Sequence, residues 1–331
     1  MASAINFDKP SFMVDSRNRL PGPSNTIENF SSCVQLPPNN KFNQVSISSV
    51  VIPKSYYNII DNSVGVSEVA APNSFVGSFV DNQFLFTEGT SSALITVPLA
   101  FYNSINFPIV MKDLLETQSV TNGNSLTYEV TYPDSTTQAD TRKFTYKCLN
   151  NSGALAISFF FPTVTKKNTS GCKSNDTSRI SEIMGFSNET NSGLKSFALE
   201  SGSIYSLTSE FVIDFELTKY ITIKSNISLD QGNATGDNAI LGVIPVVDTP
   251  NGGVINYELQ QLEDESKYLS NNKNNIYSFS LWDDHDEPMK LNGLNWFVKL
   301  FLYEYNPFFE LAINDIRIKQ LQYANNQQQP Q

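Results

Sequence analysis

The sequence predicts an all-β protein, a sandwich or barrel of antiparallel sheets, and three observations predict it. The first is strict alternation of apolar and polar side chains in Leu126-Thr127-Tyr128-Glu129-Val130-Thr131-Tyr132 and in Lys143-Phe144-Thr145-Tyr146-Lys147-Cys148. Successive side chains of a strand point to opposite faces, so this period puts one face in a core. The second is recurrence. The same period returns in Phe211-Val212-Ile213-Asp214-Phe215-Glu216-Leu217, in Ile255, Tyr257 and Leu259, in Tyr277, Phe279 and Leu281, and in Trp296, Val298, Leu300 and Leu302. The third is the aromatic content of 12%, with 23 Phe and 14 Tyr, which is ample material for a wide core between sheets. A protein of this class carries its function on loops, edges and surfaces.

Residues 1–43 hold Pro10, Pro21, Pro23, Pro37 and Pro38 among Asn and Ser, with isolated apolar residues at Phe7, Phe12 and Phe30. Proline at this spacing forbids a long helix and favours an extended arm running over a surface, or a peripheral strand plus loop of its own domain. The first core strand is expected over residues 44–53, where Pro53 ends the pairing. Strands at 84–86 and 94–97 follow, with Glu88-Gly89 marking a hairpin between them. Pro108 suits the first turn of a short helix that places Met111, Leu114 and Leu115 on one face and closes at Asn122-Gly123. A second helical turn covers residues 179–184 and stops at Gly185. Between the helices lie strands at 126–132, 143–148 and 154–161, then a polar stretch at 163–176 that reads as an exposed loop. The second half supplies strands at 210–217, 219–227, 239–247, 253–259, 276–282 and 294–304. Beyond them Pro307-Phe308-Phe309-Glu310-Leu311-Ala312-Ile313 lacks the two-residue period and suits a short amphipathic helix, followed by a Gln-rich tail expected to be disordered.

Charge excludes some classes of function. Only 17% of residues are charged and the formal net charge is -11, whereas binding phosphates takes clustered Lys and Arg. Direct nucleic-acid binding is therefore not expected. Cys33, Cys148 and Cys172 are far apart and odd in number, which suits a reducing site of assembly and no disulfide framework. The first residues lack a basic start with an apolar segment, and no window approaches the roughly 18 apolar residues of a membrane span. Neither secretion nor a membrane span is expected.

Enzyme chemistry is equally unsupported. The chain has one histidine, His285, which removes most nucleophile-base pairs and His-rich metal sites. It sits in Asp283-Asp284-His285-Asp286-Glu287-Pro288, which lacks the glycine and distal Glu of an EF-hand loop and reads as a solvated acidic turn. The segment Asn251-Gly252-Gly253 reads as a turn between strands, and the sequence holds no phosphate-binding glycine motif. Asn-x-Ser/Thr triplets such as those at Asn29 and Asn150 are expected by chance in a chain so rich in these residues. Trp282 and Trp296 lie on strongly apolar strands and read as core residues rather than a sugar platform. No catalytic residue, metal ligand or cofactor site is assigned.

A set of ordered blocks adds to this reading: Phe12-Met13-Val14-Asp15-Ser16-Arg17-Asn18-Arg19; Val50-Val51-Ile52-Pro53-Lys54-Ser55-Tyr56-Tyr57-Asn58-Ile59; Ile95-Thr96-Val97-Pro98 with Tyr102; Ile183-Met184-Gly185-Phe186; and Tyr277-Ser278-Phe279-Ser280-Leu281-Trp282-Asp283 with Leu291-Asn292-Gly293-Leu294-Asn295-Trp296. Their succession resembles the minor capsid, or penton, proteins of virophages, polinton-like viruses and nucleocytoplasmic large DNA viruses. The resemblance implies a jelly-roll β-sandwich, here a single jelly roll with an inserted β region, two short helices and extended termini. The expected organisation is an N-terminal arm over 1–43, a jelly-roll domain over 44–304 with an insertion around 120–205, and a C-terminal segment over 305–331.

The resemblance further implies a structural role in an icosahedral capsid assembled inside the host cell, with the virion as its location. The implied partners are further copies of the chain, forming a pentamer, and a major capsid protein. Phe12, Arg17 and Arg19 in the arm and Phe308 and Phe309 near the end are the expected contacts between subunits. The competing expectation is a jelly-roll module binding a glycan or receptor through Trp282, Trp296 and the acidic turn. A carboxylate glycosidase needs acids on opposing faces of a cleft, whereas Asp283, Asp284, Asp286 and Glu287 share one turn.

Overall fold

In the computed structural model, two sandwiches form from one chain, the second inserted in the connection between the third and fourth strands of the first. The residues described are 10–36, 42–59, 80–133, 141–161, 164–167, 173–176, 179–186, 194–213, 215, 218–229, 239–247, 249–259, 266–270, 274–284 and 287–304. The chain starts with β1 (Ser11–Asp15), β2 (Asn29–Cys33) and β3 (Gln44–Pro53). The inserted part carries β4 (Gln83–Glu88), β5 (Ser91–Thr96), α1 (Asn106–Thr121), β6 (Tyr128–Thr131), β7 (Thr145–Cys148) and β8 (Ile157–Phe160). It continues through β9 (Val164–Lys167), β10 (Lys173–Asp176), α2 (Arg179–Ile183), β11 (Leu194–Ser196), β12 (Ala198–Ser201) and β13 (Ile204–Thr208). The outer sandwich then resumes with β14 (Tyr220–Ser225), β15 (Ser228–Leu229), β16 (Ala239–Pro245), β17 (Val254–Glu258), β18 (Lys267–Leu269), β19 (Ile276–Trp282) and β20 (Phe297–Tyr303).

The outer sandwich is a jelly roll by its strand order. One sheet runs β1-β20-β3, with both β17 and β18 paired to β3 and β15 beyond β18; the other runs β2-β19-β14-β16. All of these pairs are antiparallel. Take β1, β2, β3, β14, β16, β17, β19 and β20 as first to eighth. The sheets then read first-eighth-third-sixth and second-seventh-fourth-fifth, which is two Greek keys closed face to face. The inner faces meet in one core of Val45, Ile47, Val50 and Ile52 from β3, Ile221 and Ile223 from β14, Tyr277, Phe279 and Leu281 from β19, and Val298, Leu300 and Leu302 from β20. The alternating residues named from the sequence around β19 and β20 are thus the ones that turn inward.

The inserted sandwich has sheets β11-β8-β4-β5 and β12-β13-β7-β6 around a separate core. In β6, Tyr128 and Val130 are buried while Glu129 and Thr131 are exposed, as the two-residue period requires. Gly89 turns the β4–β5 hairpin at φ +61°, a left-handed conformation that glycine adopts at no steric cost. Asn103 Oδ1 accepts the N–H groups of Ile105 and Asn106, both at 2.9 Å, at the start of α1. Phe107, Met111, Leu115 and Ser119 then fall on its buried face at a spacing of one helical turn. Aromatic rings dominate this core: Phe159 packs edge-on to Phe84, Tyr146 and Phe197 at centroid distances of 5.3, 5.3 and 5.2 Å.

Residues 11–33 supply β1 and β2, in keeping with the peripheral-strand alternative for residues 1–43; Val14 and Phe30 join the outer core, where they are 2% and 1% exposed. Other expectations are corrected. The segment expected as a strand from 210 is irregular over 211–213: the Phe211 N–H reaches the Gly185 carbonyl and the Ile213 N–H the Arg142 carbonyl, both at 2.9 Å. Of its alternating apolar residues Ile213 is buried and Phe215 packs on the inserted core, whereas Phe211 is exposed, and its backbone bonds to loops. The stretch expected as a loop at 163–176 contains the antiparallel pair β9–β10. Residues 305–331, and with them the expected terminal helix and tail, lie outside the described residues.

Candidate functional site

Four of the ordered sequence blocks, those holding Ser16, Ser55, Tyr102 and Trp296, are tied together at one end of the jelly roll. There β1 and β3 end and β20 begins, with Asp15 opposite Phe297 and Phe297 opposite Val51. Ser16 and Trp296 exchange bonds: the Ser16 N–H donates to the Trp296 carbonyl at 3.0 Å, and Ser16 Oγ accepts the Trp296 N–H at 3.1 Å. The indole Nε1–H of Trp296 donates to the Ile27 carbonyl at 2.8 Å, and its ring meets Phe30 edge-on. Ser55 Oγ donates to the Leu291 carbonyl at 2.6 Å, while the Asn292 amide donates back to the Ser55 carbonyl. Asn58 binds the main chain of Tyr102 in both directions at 2.8 Å, tying the exit of the jelly roll to the inserted sandwich. Segments hundreds of residues apart thus satisfy one another's polar groups at this end.

Of the expected subunit contacts, Phe12 packs against the outer core, and Arg17 and Arg19 lie just beyond β1. Asp15 accepts the Arg17 Nε–H at 2.9 Å and the Arg17 backbone N–H at 2.9 Å, capping the single 3-10 turn at residues 16–18. The hydrogen bonds from Arg17 outweigh the cost of burial and hold the Asp15 carboxyl below its ordinary value. Arg19 donates to the Ser16 carbonyl at 3.0 Å. The two guanidinium groups line a shallow open depression with Leu20, Pro21, Gly22 and Asn25. Phe308 and Phe309 lie outside the described residues, so the structure brings together only the N-terminal members of the set.

Among the described residues of the acidic turn after β19, Asp283 and Glu287 are buried rather than solvated as expected. Asp283 and Glu287 are 5% and 4% exposed and grip the guanidinium of Arg179, itself 1% exposed, from the start of α2. Arg179 Nε–H donates to Glu287 Oε2 at 3.1 Å and the NH2 group to the same oxygen at 3.0 Å; the NH2 group also donates to Asp283 Oδ2. Burial alone favours loss of the arginine proton, yet the charges of Asp283 and Glu287 prevail and hold it above its ordinary value. Asp284 Oδ2 accepts the backbone N–H of Lys219 at 2.9 Å, where the chain returns from the inserted sandwich. His285 and Asp286 lie outside the described residues.

Sequence reasoning missed Arg179. The available signal was an arginine opening a short turn whose Ile180 and Ile183 face a core, a placement that calls for carboxylates from elsewhere. It also missed the burial of Glu88, 1% exposed, which accepts the Tyr128 hydroxyl at 2.7 Å and the side-chain amides of Asn122 and Asn124 at 3.1 Å. Burial, then Glu88, pushes the Tyr128 hydroxyl far above its ordinary value. These contacts fasten the end of α1 to the β4–β5 hairpin. Among the described residues no group of three His, Cys, Asp or Glu side chains is arranged to hold a metal ion. No helix among them is long and apolar enough to cross a membrane.

The arrangement offers a polar junction between elements of the two sandwiches. Trp282 is half-buried, with Lys224 Nζ 4.0 Å from its ring centre and its Nε1–H donating to Ser280 Oγ at 2.8 Å. Neither a family model nor a curated protein matches the sequence. Among solved structures, the chain is similar to the mavirus penton protein, a crystal structure of the selenomethionine-labelled protein. That alignment has 10% identity and a TM-score of 0.42 and covers 90% of this chain and 100% of that one. A chain of the Sputnik virophage in its cryo-EM structure aligns at 10% identity and a TM-score of 0.37, over 89% of this chain and 98% of that one.

Proposed function

We propose that this chain is a structural protein of an icosahedral viral capsid, a penton-type minor capsid subunit without enzymatic activity. The observation that carries the reading is the meeting of four of the ordered sequence blocks, through Ser16–Trp296, Ser55–Leu291 and Asn58–Tyr102, at one end of a jelly roll. A shell subunit needs a rigid two-sheet core with polar ends that present short turns to neighbours, and this end has that character. In this reading the chain assembles with itself as a pentamer and with a major capsid protein, and its location is the virion. Residues 1–43 give β1 and β2 to the sheets and present Arg17 and Arg19 to a neighbour; residues 44–304 complete the jelly roll and its insertion; residues 305–331, with Phe308 and Phe309, act as a tie. The glycan-binding alternative loses support because Trp296 and the acidic turn are spent on internal contacts.

Light scattering on the purified chain, alone and with a major capsid protein, tests the reading. A closed oligomer that enters particles is expected; a strict monomer that never does overturns it. Deleting 1–9 and 305–331 separates folding from assembly, since the Leu302 N–H bonds the Pro10 carbonyl at 3.1 Å and the sheets begin there. The truncated chain is expected to keep its β-sheet circular dichroism and lose oligomers. Unfolding assigns the ends to the sandwich, and normal assembly removes their role as ties.

A further inference from the structure

We propose that copies of this chain join head to tail, the aliphatic edge at β16 of one copy packing against the β1–β2 edge of the next. The inference rests on the reading of the chain as a self-assembling capsid subunit and names the two surfaces that meet. On one flank of the jelly roll β1 ends the first sheet and β2 the second, and the Leu20 N–H, beyond β1, donates to the Ser31 carbonyl of β2 at 2.8 Å. On the opposite flank β16 ends the second sheet, and β15 of the first sheet packs against it. The strand β16, Ala239-Ile240-Leu241-Gly242-Val243-Ile244-Pro245, has no charged residue. Its Leu241 and Ile244 are buried in the core, while Ile240 and Val243 are exposed, as are Val247 just past the strand and Tyr220 opposite Pro245 on β14. A Cβ added to Gly242 would lie 2.5 Å from Ile47 Cδ1 of β3, so the two sheets close tightly beneath this surface. Among the described residues no strand pairs with the outer side of β16. Edge strands are ordinarily covered or carry charge, because an open apolar edge associates with another chain.

Charge selects the occupant. The chain has a formal net charge of -11, so two copies repel and meet closely only where both surfaces are free of negative charge. The β1–β2 flank meets that condition. The strand β2, Asn29-Phe30-Ser31-Ser32-Cys33, is uncharged, and Asp15 of β1 is buried and paired with Arg17. Glu28, the one acid between Leu20 and β2, accepts the Leu291 N–H at 2.7 Å. Apolar groups also face outward here: Met13 on β1 and Ile276 on β19, opposite Cys33, are both exposed. The outer side of β2 is closed by its own loop, where the Ser31 N–H donates to Asn25 Oδ1 at 2.8 Å, so the contact is made by side chains and not by a shared ladder. Two different surfaces on opposite flanks make a heterologous contact, and a ring with an odd number of copies requires one; a self-complementary patch closes as a dimer.

Size-exclusion chromatography with light scattering on the full-length chain tests the contact. Val243→Lys breaks the β16 edge and Met13→Lys the β1 edge; both lower the net negative charge, so a loss of association is local and not a gain in general repulsion. Each variant alone should need at least about tenfold more protein than the wild type to associate. Mixed in equal amounts, the two should form a species of two chains, because each keeps the surface that the other has lost. Far-UV circular dichroism checks folding, and Val247→Lys and Ile276→Lys stand in for either variant that loses its β-sheet signal. Variants that associate at wild-type concentrations overturn the inference and leave self-assembly standing. Variants that dissociate and give no two-chain species when mixed overturn the head-to-tail contact. A wild-type chain that stays monomeric at every concentration overturns the inference together with the reading on which it rests.

Discussion

Replacing Phe159 by alanine should unfold the inserted sandwich early and leave the jelly roll standing. Phe159 is fully buried and meets Phe84, Tyr146 and Phe197 at interplanar angles of 77, 87 and 86°. Truncating a core phenylalanine costs about 3–5 kcal/mol through lost transfer energy and the cavity left behind. Edge-on ring pairs contribute about 0.5–1.5 kcal/mol each beyond their area, so the upper part of that range applies, at about 4–5 kcal/mol. With a urea slope of about 2 kcal/mol per molar, the midpoint of the inserted sandwich falls by about 2 M. The chain offers a clean assay, because both tryptophans, Trp282 and Trp296, lie in the jelly-roll half. Tryptophan emission therefore reports the jelly roll, and circular dichroism reports both sandwiches. In Phe159→Ala the circular dichroism should develop an early transition while the emission midpoint stays put. If emission shifts by the same interval, the two cores unfold as one cooperative unit and the reasoning fails.

Two further outcomes follow from local geometry. Gly185 has φ +75°, and an added Cβ would sit 2.7 Å from Ser209 Cβ and 2.8 Å from the Phe211 carbonyl oxygen, whereas at Gly123, φ +81°, nothing lies within 4 Å. Gly123→Ala should cost only the left-handed backbone penalty of about 1–2 kcal/mol, and Gly185→Ala an overpacking cost of about 1–3 kcal/mol more, a difference that thermal melts of the two variants resolve. Asp15 has its folded pKa lowered by hydrogen bonds from Arg17, so its contribution to stability is present above the ordinary value of 3.8 and is lost as pH falls through the folded value. Arg17→Ala should return the Asp15 titration, followed by NMR, toward that ordinary value; an unmoved titration would mean the pair does not form in solution.

The legible part of the fold was the part where one face is buried and the other wet. β3 was expected at its observed bounds, and β6, β7, β17, β19 and β20 lie within two or three residues of expectation, since each alternates against a single core. Gly89, Gly123 and Gly185 marked turns for the same reason that the structure uses them, namely positive φ. The strands that escaped notice are short or carry little apolar signal. β12 is exposed at every position, and β2, Asn29-Phe30-Ser31-Ser32-Cys33, turns one apolar ring into the core. In β1 the inward residue is Val14, while Met13 is 62% exposed, so its burial depends on β20 arriving from the far end of the chain. Pairing between such distant segments leaves no local trace.

The candidate site was legible as residues and not as relations. Asp283 and Glu287 stood out as an acidic turn, and counting charges along the chain makes such a turn look solvated, because sequence neighbours supply no cation that could bury it. The cation comes from Arg179, more than a hundred residues earlier and across the seam between two cores. A buried arginine and a buried acid pair each look like errors when read alone, since either would bear a large desolvation cost. Together they satisfy one another, which holds the start of α2 against the end of β19. The same logic extends to the N-terminal turn. Arg17 is already answered by Asp15 two residues away, so a second subunit is not needed to satisfy it, and a neighbour's carboxylate recruited there must compete with Asp15. Arg19, bonded only to a carbonyl within the described residues, has donors left to offer, and is the better of the two for the proposed contact between subunits.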